Sequence, residues 1–214
     1  MKAQLLALAI AISAVTAHAA PVLVNGSLTG SIANGGVPAG WSVTSPSPDT
    51  MDENNNVGGP FGGFGAPASA SPDGGTWVGF ARDGGFIESF GQNVAGFSIG
   101  TAYDLSWYHA NFGYTPGGYI GDNAVEVLID GTAVGNGALR SLSAGWADET
   151  VTFVATSATH RIDFRLLNVT RSYHSIDGIR LNEVTGTVSE PAGLSLMALG
   201  LLGIALSRRA RKQA

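Results

Sequence analysis

Cysteine is absent from all 214 residues. That excludes thiol nucleophiles, thiolate-bound zinc and disulfide staples together, so a hydrophobic core, with or without a metal, must hold any fold. Lysine occurs only as Lys2 and Lys212, near the two chain ends. Between Ala20 and Glu190, 16 acids face six arginines (Arg82, Arg140, Arg161, Arg165, Arg171 and Arg180), a net charge of −10. The whole-chain value of −5 hides this. A body so acidic has no electrostatic footprint for nucleic acid and is repelled by anionic lipid. Between the ends no stretch carries a helical period, and no long apolar run appears.

Both ends have such runs. Met1-Lys2 is a positive start, Leu5 to Val15 is apolar, and Ala17-His18-Ala19 has the small-residue form of a cleavage site. Residues 1–19 therefore read as a signal peptide, cut after Ala19. At the other end Ala192 to Leu206 carries no charge. As a helix it would span about 22 Å, against roughly 30 Å of hydrocarbon. Extension to Ser207 brings it to the margin, so a transmembrane helix is predicted over 192–207. Arg208, Arg209, Arg211 and Lys212 follow and would stay cytoplasmic. A buried C-terminal helix is the competing reading. The all-round apolar run and its basic end argue against it.

Ser189-Glu190-Pro191, the apolar run and Arg208-Arg209 together resemble the PEP-CTERM sorting signal of Gram-negative bacteria. The resemblance covers residues 188–214. It implies export, transient anchoring in the inner membrane, and processing by a membrane-embedded exosortase that releases or re-attaches the protein at the cell surface. Ser189 stands where the family has its first proline.

The remaining body, residues 20–187, is long enough for one domain with a core of its own. It reads as all-β. Strands are expected at Val22–Leu28, Trp41–Thr44, Thr76–Ala81, Phe86–Phe90, Val94–Ile99, Tyr103–Phe112, Ala124–Ile129, Glu149–Ala155, His160–Asn168 and Ser175–Glu183. Tyr103, Leu105 and Trp107 share a face, as do Val125, Val127 and Ile129, and Ile162, Phe164 and Leu166. Asp130-Gly131 and Asp83-Gly84-Gly85 are hairpin turn signals. Short strands at this spacing predict a β-sandwich or jelly roll. Residues 45–73, rich in Pro, Gly, Ser and Asn, read as one long loop, functional or disordered. Phe61 and Phe64 would pin it to the sandwich.

Asn25-Gly26-Ser27-Leu28, Gly40-Trp41-Ser42-Val43, Gly91-Gln92-Asn93-Val94, Tyr103-Asp104-Leu105-Ser106-Trp107, Val127-Leu128-Ile129-Asp130-Gly131 and Ser175-Ile176-Asp177-Gly178-Ile179-Arg180-Leu181 follow one another in order. This series resembles the galactose-binding-domain-like jelly roll of many carbohydrate-binding modules and covers nearly all the body. The resemblance implies a structural calcium between the first Asn-Gly turn and the last strand's Asp, here Asn25 and Asp177. Thr29 stands where that family usually has a glutamate ligand. Asn25 and Asp177 as plain turn residues, bonding their own backbone, is the alternative.

A sugar offers apolar C–H faces and hydroxyls, so its site needs aromatic rings beside hydrogen-bonding groups. Trp107 to Tyr114, then Tyr119, form the densest such cluster, and Arg171 to His174 the second. The nominated ligand residues are Tyr108, His109, Asn111, Tyr114 and Tyr119, with Arg171, Tyr173 and His174 arriving from a loop. Their competing reading is ordinary aromatic strand packing.

Signals for catalysis are poor. Gly96-Phe97-Ser98-Ile99-Gly100 matches G-x-S-x-G but lacks the helix a nucleophile elbow requires. His109 and His174 lack the spacing of a zinc helix. Asp52-Glu53 and Asp148-Glu149 read as solvated turns, not as carboxylates facing each other across a glycoside. The sequence leaves a polysaccharide-binding module, an inert structural brick of the surface or matrix, and, third, a secreted hydrolase.

Overall fold

Alternating apolar residues set the sheets. The computed structural model describes residues 20–56, 59–60 and 63–184. The signal peptide, the transmembrane helix and the sorting residues Ser189, Glu190, Pro191, Arg208 and Arg209 lie outside the described residues, as does Phe61. The chain divides into Met1–Glu183, which holds every strand named below, and Val184–Ala214. Among the described residues there is no helix, and none long and apolar enough to cross a membrane.

The strands are β1 (Ser42–Ser45), β2 (Asp49–Met51), β3 (Asn55–Asn56), β4 (Gly59–Pro60), β5 (Trp77–Arg82) and β6 (Ser89–Ala95). They continue as β7 (Ala102–Ala110), β8 (Val125–Ile129), β9 (Thr132–Asn136), β10 (Ala147–Val154), β11 (Thr159–Leu166) and β12 (Ser172–Glu183). Ten of them make two five-stranded sheets, in the orders β1-β6-β11-β8-β9 and β10-β7-β12-β5-β2, and β3-β4 is a small ribbon. Every pairing is antiparallel. Two such sheets across one core match the sandwich or jelly roll expected from the sequence.

The three predicted faces all point inward. Tyr103, Leu105 and Trp107 of β7, Val125, Val127 and Ile129 of β8, and Ile162, Phe164 and Leu166 of β11 are buried in one cluster. Trp107 meets Phe164 across the sandwich at 5.7 Å, edge to face, and Phe80 meets Phe90 at 5.7 Å. Each fully buried apolar side chain is worth about 1.5–3 kcal/mol, and this core does the work that disulfides do elsewhere.

The other face of the β10-β7-β12-β5-β2 sheet is also covered. Met51, Trp77, Ala81, Ala110, Phe112 and Tyr173 form a second buried cluster, with Phe64, Tyr114, Tyr119 and Trp146 against it. Phe64 lies edge-on to Phe112 at 6.0 Å and so does pin its segment. Trp146 stands edge-on to Trp77 at 5.2 Å.

Several boundaries differ from expectation. Residues 45–73 are not a single loop. Asp49 to Met51 pair with β5, and β3 pairs with β4. The expected strand Val22–Leu28 does not form. The Gln92 side chain stands in for a strand there, accepting from Val24 N–H at 2.8 Å and donating to the Val24 and Gly40 carbonyls at 2.8 Å each. The two strands expected around Gln92 are one, β6, and Gly96 (φ 101°) then turns Phe97 into the core. β9 was not expected: it is an edge strand, largely exposed, and lacks an apolar face. Asp130-Gly131 makes the predicted turn between β8 and β9, both residues at positive φ (51° and 79°), as a type I′ hairpin turn requires.

Candidate functional site

The covered face has an opening near the β2 edge. A cleft of about 240 Å³ is lined by Asn34, Ser47, Asp49, Ala81, Phe86, Glu88, Tyr114, Tyr119 and Tyr173. Residue Asp49 comes from β2, Ala81 from β5 and Tyr173 from β12, so the floor is the β2 edge of the sheet. One wall is the short Tyr114–Tyr119 hairpin, closed by Tyr114 N–H to Tyr119 C=O and the reciprocal bond, both 2.9 Å. Phe86 adds to the lining beside that hairpin, from the end of the Asp83-Gly84-Gly85 turn, where Asp83 Oδ1 accepts from the Gly85 and Phe86 N–H groups at 2.6 and 3.1 Å.

The rings are held in contact. Tyr114 lies 5.9 Å from Tyr173, and Phe86 stands edge-on to Tyr119 at 6.0 Å. Tyr119 O–H donates to Asp83 Oδ2 at 3.3 Å, and the Arg171 guanidinium covers the Tyr119 ring at 4.7 Å. Arg171 also reaches Asp83 at 3.6 Å. Two glycines make room. A Cβ on Gly79 would fall 2.5 Å from the Tyr173 ring, and one on Gly117 would fall 2.3 Å from the Tyr119 ring.

Two acids sit on the floor. Tyr173 O–H donates to Asp49 Oδ2 at 2.6 Å, and Gly35 N–H donates to Oδ1 at 2.7 Å. Glu88 accepts from Ala81 N–H at 2.6 Å and from Ser47 N–H at 3.2 Å. Burial raises the Asp49 pKa, against the pull of the Tyr173 and Gly35 bonds. Burial pushes Glu88 up to about 7, the two backbone bonds opposing it and the Asp49 charge adding to it. The Tyr173 hydroxyl is driven well above its usual range, by burial and then by Asp49.

Of the residues nominated from sequence, Tyr114, Tyr119, Tyr173 and Arg171 thus meet around one cleft. The others go elsewhere. Tyr173 and His174 belong to β12, not to a loop, and point to opposite sides of the sheet. His109, Asn111 and His174 are fully buried. His109 Nε2 and His174 Nδ1 bond each other at 2.8 Å, and His174 Nε2 reaches the Gly121 carbonyl at 3.3 Å. A carbonyl only accepts, so His174 carries its proton on Nε2 and receives one from His109. Burial lowers both pKa values, His174 to about 4, which keeps the pair neutral. Asn111 donates to the Gly121 and Arg140 carbonyls at 3.2 and 3.0 Å. Tyr108 lies under Arg180, at 4.6 Å, on another part of the sheet.

Sequence reasoning missed Asp49, Glu88, Asp83 and Phe86. Their convergence is long-range, and only the Asp-Gly-Gly turn was a local signal. Asp148-Glu149 lies within β10 rather than in a turn, and both acids pair with arginines, Arg180 and Arg140.

The two nominated calcium residues are engaged differently, although the Asn25-Gly26 turn meets β12 through Ile179 N–H to the Gly26 carbonyl at 2.8 Å. Asn25 is a turn clasp at φ 53°: its Nδ2 donates to the Thr29 and Ala39 carbonyls at 3.0 and 2.9 Å, and its Oδ1 accepts from Thr29 N–H at 3.1 Å. That side chain is spent. Asp177 is different. It sits at the bulge where the β12–β7 register shifts, fully buried, and neither carboxylate oxygen has a hydrogen-bond partner. Burial pushes its pKa up to about 7. The Ser71 hydroxyl and Gly178 N–H lie near enough to temper the rise without meeting hydrogen-bond geometry, and the Asp73 charge adds to it. An orphaned buried carboxylate beside a second acid fits a hard cation. Among the described residues, no group of three or more His, Asp or Glu could hold a metal, so backbone and hydroxyl oxygens would have to complete any shell.

No protein-family model and no curated protein matches the chain. Solved structures do. An arabinose-bound α-L-arabinofuranosidase matches with a TM-score of 0.51 and 12% identity over 79% of this chain, but only 27% of that chain. That likeness shows a shared fold. Carbohydrate-binding modules are among the weaker neighbours. A family 35 module from Clostridium thermocellum matches with a TM-score of 0.40 and 12% identity, over 76% of this chain and 98% of its own. A xylan-binding domain from Paenibacillus barcinonensis matches with a TM-score of 0.43 and 8% identity, over 69% of this chain and 88% of its own.

Proposed function

We propose that this is an exported surface or matrix protein whose sandwich binds carbohydrate, without cleaving it, in the Tyr114–Tyr119–Tyr173 cleft. The observation that carries the reading is the convergence of four aromatic rings, two acceptor carboxylates and a rim arginine on one opening in the fold. Rings pack against the C–H faces of a sugar, and the carboxylates accept its hydroxyl protons. Export through the signal peptide, and exosortase sorting at Ser189-Glu190-Pro191, rest on the sequence pattern at the two ends.

A glycan array probed with the full chain in detergent tests this. Retention of a glycan, lost on Tyr114→Ala or Tyr119→Ala, is expected. An empty array would favour the inert structural brick, and release of new reducing ends from a retained glycan would favour the hydrolase.

We also infer a structural calcium at Asp177, with Asp73 as a second acid beside it. The ion would neutralise a buried carboxylate and tie the 71–75 turn to β12. Its effect is on stability rather than on the cleft.

A further inference from the structure

We propose that the cleft selects ligands carrying a protonated amine, specifically sugars of the de-N-acetylated hexosamine class. The inference rests on the carbohydrate-binding reading and deepens it.

Charge is the first ground. The carboxyl side chains on the cleft floor are Asp49 and Glu88. The cation at the rim, Arg171, is already engaged by Asp83 and stacked on Tyr119. Arg82, on the neighbouring strand, turns away and donates to the Leu166 and Leu167 carbonyls at 2.5 and 2.8 Å. Among the described residues, no Arg, Lys or His lines the floor. A neutral ligand seated there would desolvate the two carboxyl groups further and leave them uncompensated, at a cost. An ammonium group would draw both into the charged form and pair with them.

Capacity is the second ground. A carboxylate offers about four lone-pair positions. Asp49 and Glu88 each accept two bonds from the protein. Each therefore retains room for a charge-assisted donor from the ligand.

The rings are the third. Tyr114, Tyr119, Tyr173 and Phe86 surround the acids. Aromatic faces attract cations, and cages of them are a common solution for ammonium recognition. The rings also give the sugar ring its apolar contact. The cavity, at about 240 Å³, is smaller than the roughly 300–1,000 Å³ of sites for drug-sized ligands. It suits one sugar unit of a chain. The net charge of −10 between Ala20 and Glu190 draws such a polycation in.

The test is calorimetric titration of the full chain in detergent at pH 6.5, where an amine is charged. Three probes are compared: the glucosamine trimer, the N-acetylglucosamine trimer and the glucose trimer. The glucosamine trimer should bind at least tenfold more tightly than the other two. Glu88→Gln and Asp49→Asn should narrow that ratio to about twofold, each variant first checked for native near-ultraviolet circular dichroism. Equal binding of all three trimers would overturn the amine preference and leave sugar binding standing. Binding of choline chloride with no trimer bound would overturn the sugar and uphold the ammonium. Failure of every probe would overturn both.

Discussion

Single side chains in this protein carry opposing pH dependences. Glu88 has a folded pKa of about 7 against 4.5 when unfolded. Between those values the folded state keeps a proton that the unfolded chain has released. Its contribution is therefore fully present below pH 4.5 and is lost as pH rises through 7. His174 runs the other way. Its folded pKa of about 4 lies below 6.5, so its contribution is present above pH 6.5 and is lost as pH falls through 4. The two oppose each other across the window they share. Glu88→Gln removes one of them. Urea unfolding should show the variant gaining on the native chain by on the order of 3 kcal/mol between pH 4.5 and 7.5. A pH-independent difference would show that Glu88 is not a buried titrating acid. Gly79 is a second case. A methyl there meets the Tyr173 ring and Met51 at about 2.5 Å, so Gly79→Ala should destabilise by about 1–3 kcal/mol. It should also perturb the Tyr173–Asp49 bond, read as a changed tyrosine signal in near-ultraviolet circular dichroism.

At the scale of elements, legibility followed burial. β7, β8 and β11 were readable because each alternates large apolar residues toward one core, and two wrong faces would expose Trp107 or Phe164. The Asp130-Gly131 turn was readable because its chemistry is local. β9 was not, since an exposed edge strand needs no apolar face. Val22–Leu28 has strand-like alternation, yet its Val22 and Val24 are exposed, and Gln92 satisfies its backbone instead of a neighbouring strand. That gives Gln92→Ala a definite consequence. It leaves Val24 N–H and the Val24 and Gly40 carbonyls without their partner, at about 1–3 kcal/mol. Amide exchange at Val24 should rise well above that of β7. The site was half legible for a related reason. Tyr114 with Tyr119, and Arg171 with Tyr173, stood out as two local clusters of aromatic and polar residues. The Asp49–Tyr173 bond joins residues 124 apart, and no local pattern announces it. His109 and His174 looked like surface ligands in the sequence, but period-2 alternation from Trp107 and Ile176 turns both inward.

The whole molecule is an acidic sandwich between two basic ends. With no disulfide, its stability rests on two aromatic clusters, one between the sheets and one outside them. A cation at Asp177 would add to that. Calcium at a hundredfold excess over its dissociation constant should stabilise the fold by about 2.7 kcal/mol. A calorimetric melt with calcium and then with chelator should show a higher midpoint with the ion, and Asp177→Asn should abolish the difference. Equal midpoints in the native chain would remove the metal from the account. Neither result touches the cleft, which lies on the β2 side of the sheet and is built from separate residues. The most direct measurement of the central claim is therefore a binding isotherm for the glycan retained on the array, taken with the native chain and with Tyr119→Ala. Loss of at least about tenfold in affinity, or 1.4 kcal/mol, at a temperature where near-ultraviolet circular dichroism shows the variant folded, is predicted. Unchanged affinity in Tyr119→Ala would contradict the assignment of the cleft as the sugar site.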